Sequence, residues 1–238
     1  MPKRSRRYEE LREKLDPSKT YEIEEAIKIL KEMATVKFDE TVEIAVRLGI
    51  DPKQSDQQVR GPVSLPHGTG KEVRVLVFAQ GDKAKEAQDA GADYVGTDEL
   101  AEKIQNGWFG FDAAVATPDL MRIVGKLGKL LGPRGLMPNA KVGTVTFDVG
   151  QTVKEIKAGR LEVRNDKFGN IHLPLGKTSF PDNHLVDNLF SVLETLMKMK
   201  PAAARGRYIK GITLTTTMGV GLKLDPNQTI SRMDKRAA

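Results

Sequence analysis

Few residues of this sequence have the type and spacing that chemistry requires. Gly176-Lys177-Thr178 has the composition of the end of a phosphate-binding loop. That motif needs a glycine five positions before Gly176, where Ile171 stands, and a helix directly afterwards, where Ser179, Phe180 and Pro181 intervene. Gly68-Thr69-Gly70 precedes an expected strand instead of following one, and Val73 fills the place of the third glycine of a dinucleotide fingerprint. The histidines are His67, His172 and His184, and none has a His or Cys three or four residues on, as a metal pair on a helix requires. There is no cysteine, hence no disulfide, thiol nucleophile or thiolate-bound metal. Glu9-Glu10 and Glu24-Glu25 read as exposed helix surface, and no spacing places a nucleophile beside a base. The sequence predicts no catalytic residue, no metal and no cofactor.

Two other stretches suit binding. Residues 125–143 hold five glycines, two prolines and the cations Lys126, Lys129, Arg134 and Lys141. Such a loop brings backbone and positive charge close to an anion, while Leu130, Leu131, Leu136 and Met137 could pin it to a core. The alternative is a helix end followed by tight turns. In the second stretch, 208–219, alternation puts Tyr208, Ile212, Leu214 and Met218 on one side. Thr213, Thr215 and Thr217 fall on the other with Gly211 and Gly219. A row of small hydroxyls on a bare strand suits ribose hydroxyls and phosphates; it also suits an ordinary solvated strand.

Charge favours the polyanion reading. The formal net charge is only +6 over 238 residues, but it is unevenly spread. Lys plus Arg balance Asp plus Glu at 13 and 13 in residues 1–66 and at 12 and 12 in 67–159, then outnumber them 13 to 7 in 160–238. Residues 120–147 and 195–224 contain no acid at all. Each phosphate neutralised by a cation adds affinity, so two such patches on a nearly balanced chain point to nucleic acid.

The elements that must position these residues follow from periodicity. Helices are expected over 7–15 and 22–34, separated by Asp16-Pro17, then a half-buried strand through Val42, Ile44, Val46 and Leu48, and a further strand near 58–65. After Pro66-His67-Gly68-Thr69-Gly70, strands at 72–79, 93–95 and 113–116 alternate with helices at 83–90 and 98–106, the rhythm of a small parallel sheet. Thr117-Pro118-Asp119 has the makings of a capped helix start, and a helix over 153–158 is expected to stop at Gly159. Strands 161–164 and 170–173 read as a hairpin, 182–199 as an amphipathic helix with Leu185, Val186, Leu189, Phe190, Leu193 and Met197 on one side, and 208–218 as a final long strand with a short one after it. Residues 223–238 are expected to be weakly ordered. The fold class is thus a two-domain protein. An α+β domain is made of 1–66 plus 160–238, and an α/β domain, Rossmann-like and three-layered, is inserted at 67–159 through a hinge. No apolar run approaches the ~20 residues of a membrane span, and the basic start, Met1 to Arg7, lacks the apolar stretch of a secretory signal.

Several segments in order resemble the bacterial ribosomal protein L-one family, the stalk protein of the large subunit, over nearly the whole chain. They are Lys37-Phe38-Asp39-Glu40-Thr41, Val59-Arg60-Gly61 with Ser64-Leu65-Pro66-His67-Gly68, Gly132-Pro133-Arg134-Gly135-Leu136-Met137-Pro138-Asn139, Arg164-Asn165-Asp166-Lys167 and Thr215-Thr216-Thr217-Met218-Gly219. The resemblance implies a discontinuous domain that grips stalk rRNA, a part in releasing deacylated tRNA from the exit site, and repression of the chain's own operon through its mRNA. It implies a cytoplasmic place within the assembled ribosome, with no membrane and no homo-oligomer. Carried over by position, the RNA surface comprises Lys37, Phe38, Thr41, Lys167, Thr215, Thr217, Met218 and Gly219. Lys37 and Lys167 would pair with phosphates and Phe38 would stack. Lys126, Lys129, Arg134 and Lys141 are assigned to contacts with tRNA or another RNA segment. Two rivals stay open on the residues alone: a nucleotide-dependent enzyme built on 67–159, and a regulator of duplex DNA.

Overall fold

The structure, a computed structural model, describes residues 5–16 and 19–237; residues 1–4, 17, 18 and 238, with Pro17 of the expected Asp16-Pro17 break, lie outside the described residues. The chain divides into two compact units, Met1–Gly70 with Val163–Ala238, and Lys71–Glu162. In chain order the first unit opens with α1 (Arg6–Glu13), α2 (Ile23–Glu32), β1 (Thr41–Leu48) and β2 (Arg60–Ser64). Then follow β3 (Val75–Phe78), α3 (Asp82–Asp89), β4 (Tyr94–Gly96), α4 (Asp98–Gln105), β5 (Ala113–Ala116), α5 (Met121–Lys126), α6 (Gly128–Leu131) and α7 (Val149–Ala158). β6 (Arg160–Arg164), in which the boundary falls, returns the chain to β7 (Asn170–Lys177), α8 (Asp182–Lys198), β8 (Ile209–Thr216), β9 (Leu222–Leu224) and α9 (Pro226–Ala237).

The first unit is built on a four-stranded sheet in the order β7-β1-β8-β9, each neighbouring pair antiparallel. Strand periodicity decides its two faces. Val42, Ile44, Val46 and Leu48 of β1, Ile171, Leu173 and Leu175 of β7, and Ile212 and Leu214 of β8 are all buried. They meet the apolar sides of α2 (Ile23, Ala26, Ile27, Leu30) and α8, and α9 packs on β8 and α8. Each such aliphatic side chain contributes about 1.5–3 kcal/mol when taken out of water. The other face is open: Glu43, Arg47, His172 and Lys223 are exposed, and Ala45, Thr213 and Thr215 half-buried.

Four expectations are corrected here. The strands β6 and β7 form no hairpin, because β6 pairs with β2 while β7 pairs with β1. Asp166 bends the link instead, its Oδ1 accepting from the N–H groups of Phe168 (2.8 Å) and Asn170 (2.7 Å), which turns the chain without aligning the strands. Pro226–Ala237 forms a helix where the sequence suggested none. α9 buries Thr229 and Met233, and Arg232 donates to both carboxylate oxygens of Glu24 at 2.6 and 2.7 Å. Thr117 is buried and makes no capping bond; a short 3-10 turn at Pro118–Leu120 precedes α5. On α8 the buried set includes Val192, Leu196 and Asn188, while Val186 and Met197 are only half-buried.

The second unit holds a parallel sheet in the order β4-β3-β5. Val75, Val77 and Ala79 join Val149, Val153 and Ile156 of α7 and Ala87 of α3 on one face. Leu76 and Phe78 join Leu100, Ile104, Val124, Leu127 and Leu131 on the other, so helices cover both sides. α7 ends at Gly159, whose φ of +113° only glycine adopts readily. Asp112 ties down the entry to β3: Lys71 Nζ donates to it at 2.7 Å and Arg74 Nε at 3.1 Å. The Lys71 bond leads, with Arg74 adding to it, in holding the Asp112 carboxyl down at about 2.

Candidate nucleic-acid interface

At one end of the open face, the segment before β1 meets the turn after β8. Thr217 N–H donates to the Thr41 carbonyl at 3.1 Å, and Thr217 Oγ1 accepts from Thr41 N–H at 3.0 Å. Met218 N–H donates to Glu40 Oε2 at 2.8 Å, and Gly219 N–H closes the turn on the Thr216 carbonyl at 3.1 Å. A Cβ on Gly219 would stand 2.3 Å from Thr216 Oγ1, so the turn needs glycine for space. Because β8 ends at Thr216, Met218 leaves the alternation that places it with the core residues and is 45% exposed. Phe38, three residues ahead of Thr41, is 54% exposed, and Lys37 beside it is exposed with no carboxylate partner among the described residues.

The rejected phosphate-loop triplet has a different task. Lys177 Nζ donates to Thr41 Oγ1 at 3.0 Å, and Asp39 accepts from Thr178 Oγ1 (2.8 Å), Ser179 N–H (3.1 Å) and Ser179 Oγ (2.7 Å). The Ser179 hydroxyl, chief among these donors, lowers the Asp39 carboxyl below its ordinary value. A carboxylate tied at both oxygens fixes the backbone that carries Lys37 and Phe38.

From this corner the open face runs along the strands. Thr215 lies beside Glu43, and the next row across the sheet is Lys223, Thr213, Ala45 and His172. Lys167 stands beyond the far end. Asn170 pairs with Arg47 and Lys177 with Thr41, so about 20 Å of strand separates Lys167 from the corner. The structure therefore gathers Lys37, Phe38, Thr41, Thr217, Met218 and Gly219 in one place, sets Thr215 on the adjoining face and leaves Lys167 apart. Beside Lys167, Phe168 is 79% exposed.

In the second unit the basic stretch is partly helical: Lys126 ends α5, Lys129 lies in α6, and Lys141 sits in a 3-10 turn capped by Asn139, whose Oδ1 accepts from Lys141 N–H at 2.8 Å. Leu131 is fully buried and Leu136 and Met137 pack on the same core, whereas Leu130 is 39% exposed. Arg134 lies over the ring of Phe109 at 3.7 Å. Among the described residues, no three His, Cys, Asp or Glu side chains converge as a metal site, and no helix is long and apolar enough to cross a membrane.

The model of the ribosomal protein L1p/L10e family matches residues 30–220. The chain belongs to this family. Three relatives, each called large ribosomal subunit protein uL1, match almost end to end. That of Kosmotoga olearia is 57% identical over 97% of this chain and 100% of its own length, and that of Thermus thermophilus 57% over 95% and 100%. That of Thermosipho africanus is 58% identical over 95% and 98%.

In this member of the L1p/L10e family, sequence reasoning missed Glu40 and Arg7 at the corner and Asn188 beside β7. Glu40 has no exposure at all, an unusual place for a glutamate that no period reveals. Asn188, on the core side of α8, donates to the carbonyls of Gly68 (3.0 Å) and Leu175 (2.6 Å) and accepts from His67 N–H at 3.1 Å. His67 stacks on His184 with ring centroids 3.8 Å apart and bonds Asp187 at 3.0 Å. An asparagine at a core position of an amphipathic helix was the one available signal. Arg7, from outside the matched span, donates to the Met218 carbonyl at 2.8 Å.

Proposed function

We propose that this chain is a non-enzymatic constituent of the large ribosomal subunit that binds the rRNA of its mobile stalk, in the cytoplasmic ribosome. The observation that carries the reading is the corner where Thr217-Met218-Gly219 is bonded to Glu40 and Thr41 beside exposed Phe38 and Lys37. A preshaped surface of hydroxyls, backbone and one aromatic ring suits a folded RNA, which is recognised by shape, ribose and stacking. Thr215 and the open face extend it, and Lys167 meets phosphate at a distance from it. Membership of a ribosomal protein family and the relatives' names support the same reading.

Finer parts of the proposal follow the family resemblance. The unit formed by the two chain ends holds rRNA, the inserted α/β domain is joined to it by a hinge, and Lys126, Lys129, Arg134 and Lys141 give secondary contacts to exit-site tRNA or another RNA segment. The protein takes part in releasing deacylated tRNA, represses its own operon by binding its mRNA, and works as a single copy without a cofactor. Filter binding of a stalk rRNA transcript tests the core of this. Tight binding that weakens steeply with salt and exceeds that of an unrelated transcript is expected; equal affinity for both, or for duplex DNA, sinks it. Micromolar binding of ATP, GTP or NAD to the second unit would favour the enzyme reading instead.

A further inference from the structure

The peptide group between Met218 and Gly219 and the one before it are gripped by segments far away in sequence. Met218 N–H donates to Glu40 Oε2 and Met218 C=O accepts from Arg7 Nη2, both at 2.8 Å. Glu40 Oε1 and Arg7 Nη1 are themselves buried and find no partner among the described residues. A buried carboxylate oxygen and a buried guanidinium N–H with no partner among the described residues oppose folding, so stability alone does not explain this pair. Ser5, Arg7 and Tyr8 also form one wall of a shallow depression of about 420 Å³ whose other wall is Thr217, Met218 and Gly219.

We propose that Arg7 is a positioning residue for RNA binding, acting through the Met218 carbonyl and not by neutralising a phosphate. The inference rests on the reading of the corner as the RNA surface. Thr217 is fixed by two bonds to Thr41, but the carbonyl of Met218 faces a glycine, the residue that resists backbone rotation least. One side of that peptide group is held by the Gly219 N–H bond to the Thr216 carbonyl, and the other by Arg7. Without it the turn must be ordered when RNA arrives, and binding carries that entropy as a cost.

The test uses the full-length protein and a stalk rRNA transcript, with filter binding across a salt series and a melting curve for each variant. Arg7→Ala is expected to lower affinity about tenfold at every salt concentration with the log–log salt slope unchanged. Arg7→Gln, which keeps an N–H donor and drops the charge, should recover most of the loss. Arg6→Ala, at an exposed neighbouring position, should bind like the wild type. Wild-type affinity in Arg7→Ala overturns the inference. So does an Arg7→Gln variant that is as weak as Arg7→Ala with a slope reduced by about 0.7–0.9, the mark of one lost phosphate contact. If Arg7→Ala melts too low to assay, Arg7→Gln decides by the same two readouts. A wild-type protein that prefers the stalk transcript no more than an unrelated one defeats the RNA reading itself, a result distinct from any of these.

Discussion

The corner beside β1 and the basic stretch at 125–143 both combine glycine with exposed cations, yet their bonds run in opposite ways. At the corner, Met218 is bonded to a residue 178 positions away and to another 211 away. In the basic stretch the backbone-to-backbone bonds are local, Leu130 to Leu127, Gly132 to Gly128, Leu136 to Leu131 and Thr144 to Asn139, and the side-chain grip of Arg160 on the Val142 carbonyl comes from only 18 positions on. The corner leaves Phe38 and Met218 facing water, whereas the stretch turns Leu131 inward and lays Arg134 on Phe109. Glycine and positive charge therefore occur here in two different structural settings. What distinguishes the corner is that remote segments hold apolar and hydroxyl groups outward in a fixed arrangement.

The sharpest way to break this contrast is to empty the anchor of the basic stretch. Leu131→Ala should cost about 2–5 kcal/mol of unfolding free energy, read by denaturant melts, while the stalk-transcript affinity of protein that remains folded is unchanged. A large loss of affinity at preserved fold would make the stretch part of the main site. Thr217→Val removes the hydroxyl that Thr41 N–H uses, and should weaken RNA binding by about 1–3 kcal/mol in the same filter assay. An undiminished affinity there removes the corner from the interface.

Asp112 gives a smaller effect with a pH signature. Its carboxyl sits at about 2 in the fold against an ordinary 3.8, so the stabilisation is fully present above about pH 4 and disappears as pH falls towards 2. Asp112→Asn should cost on the order of 1 kcal/mol at neutral pH, its pairs being partly hydrated, and the gap from wild type should close in acid melts. A gap that persists at pH 2 would assign the effect instead to the Arg74 N–H, which donates to Asp112 Oδ2 at 3.3 Å. Smallest of all, Lys129→Ala should alter stalk-transcript affinity by less than about twofold, since one distant cation contributes little where shape decides.

Much of the fold is legible in the sequence, because burial and periodicity agree over β1, β3, α2 and most of α8. The acid-free run 195–224 likewise pointed at the strand that ends in the corner. The failures have physical causes. The β6–β7 hairpin was inferred from a turn-rich link, but turn residues bend a chain without choosing its partner, and β2 and β1 won the two strands. The polar helix α9 looked disposable because its stabilisation is spread over ion pairs to Glu24 and Asp187, invisible to hydropathy. Alternation places Met218 on the core side, yet it is exposed, because the strand stops two residues earlier. Glu40, Asn188 and Arg7 act only through neighbours supplied by distant chain, so no local pattern announces them.

The order of strands in the first sheet bears on how the molecule comes into being. β1 is made early, yet both its neighbours, β7 and β8, lie in the last third of the chain, and Tyr21 N–H waits for the carbonyl of Lys223 at 2.9 Å. Ile44 and Val46 have no sheet to enter until synthesis is nearly finished. A prematurely terminated product that lacks β8 has no Thr217 turn and leaves the Thr41 N–H without its acceptor, so the corner cannot form.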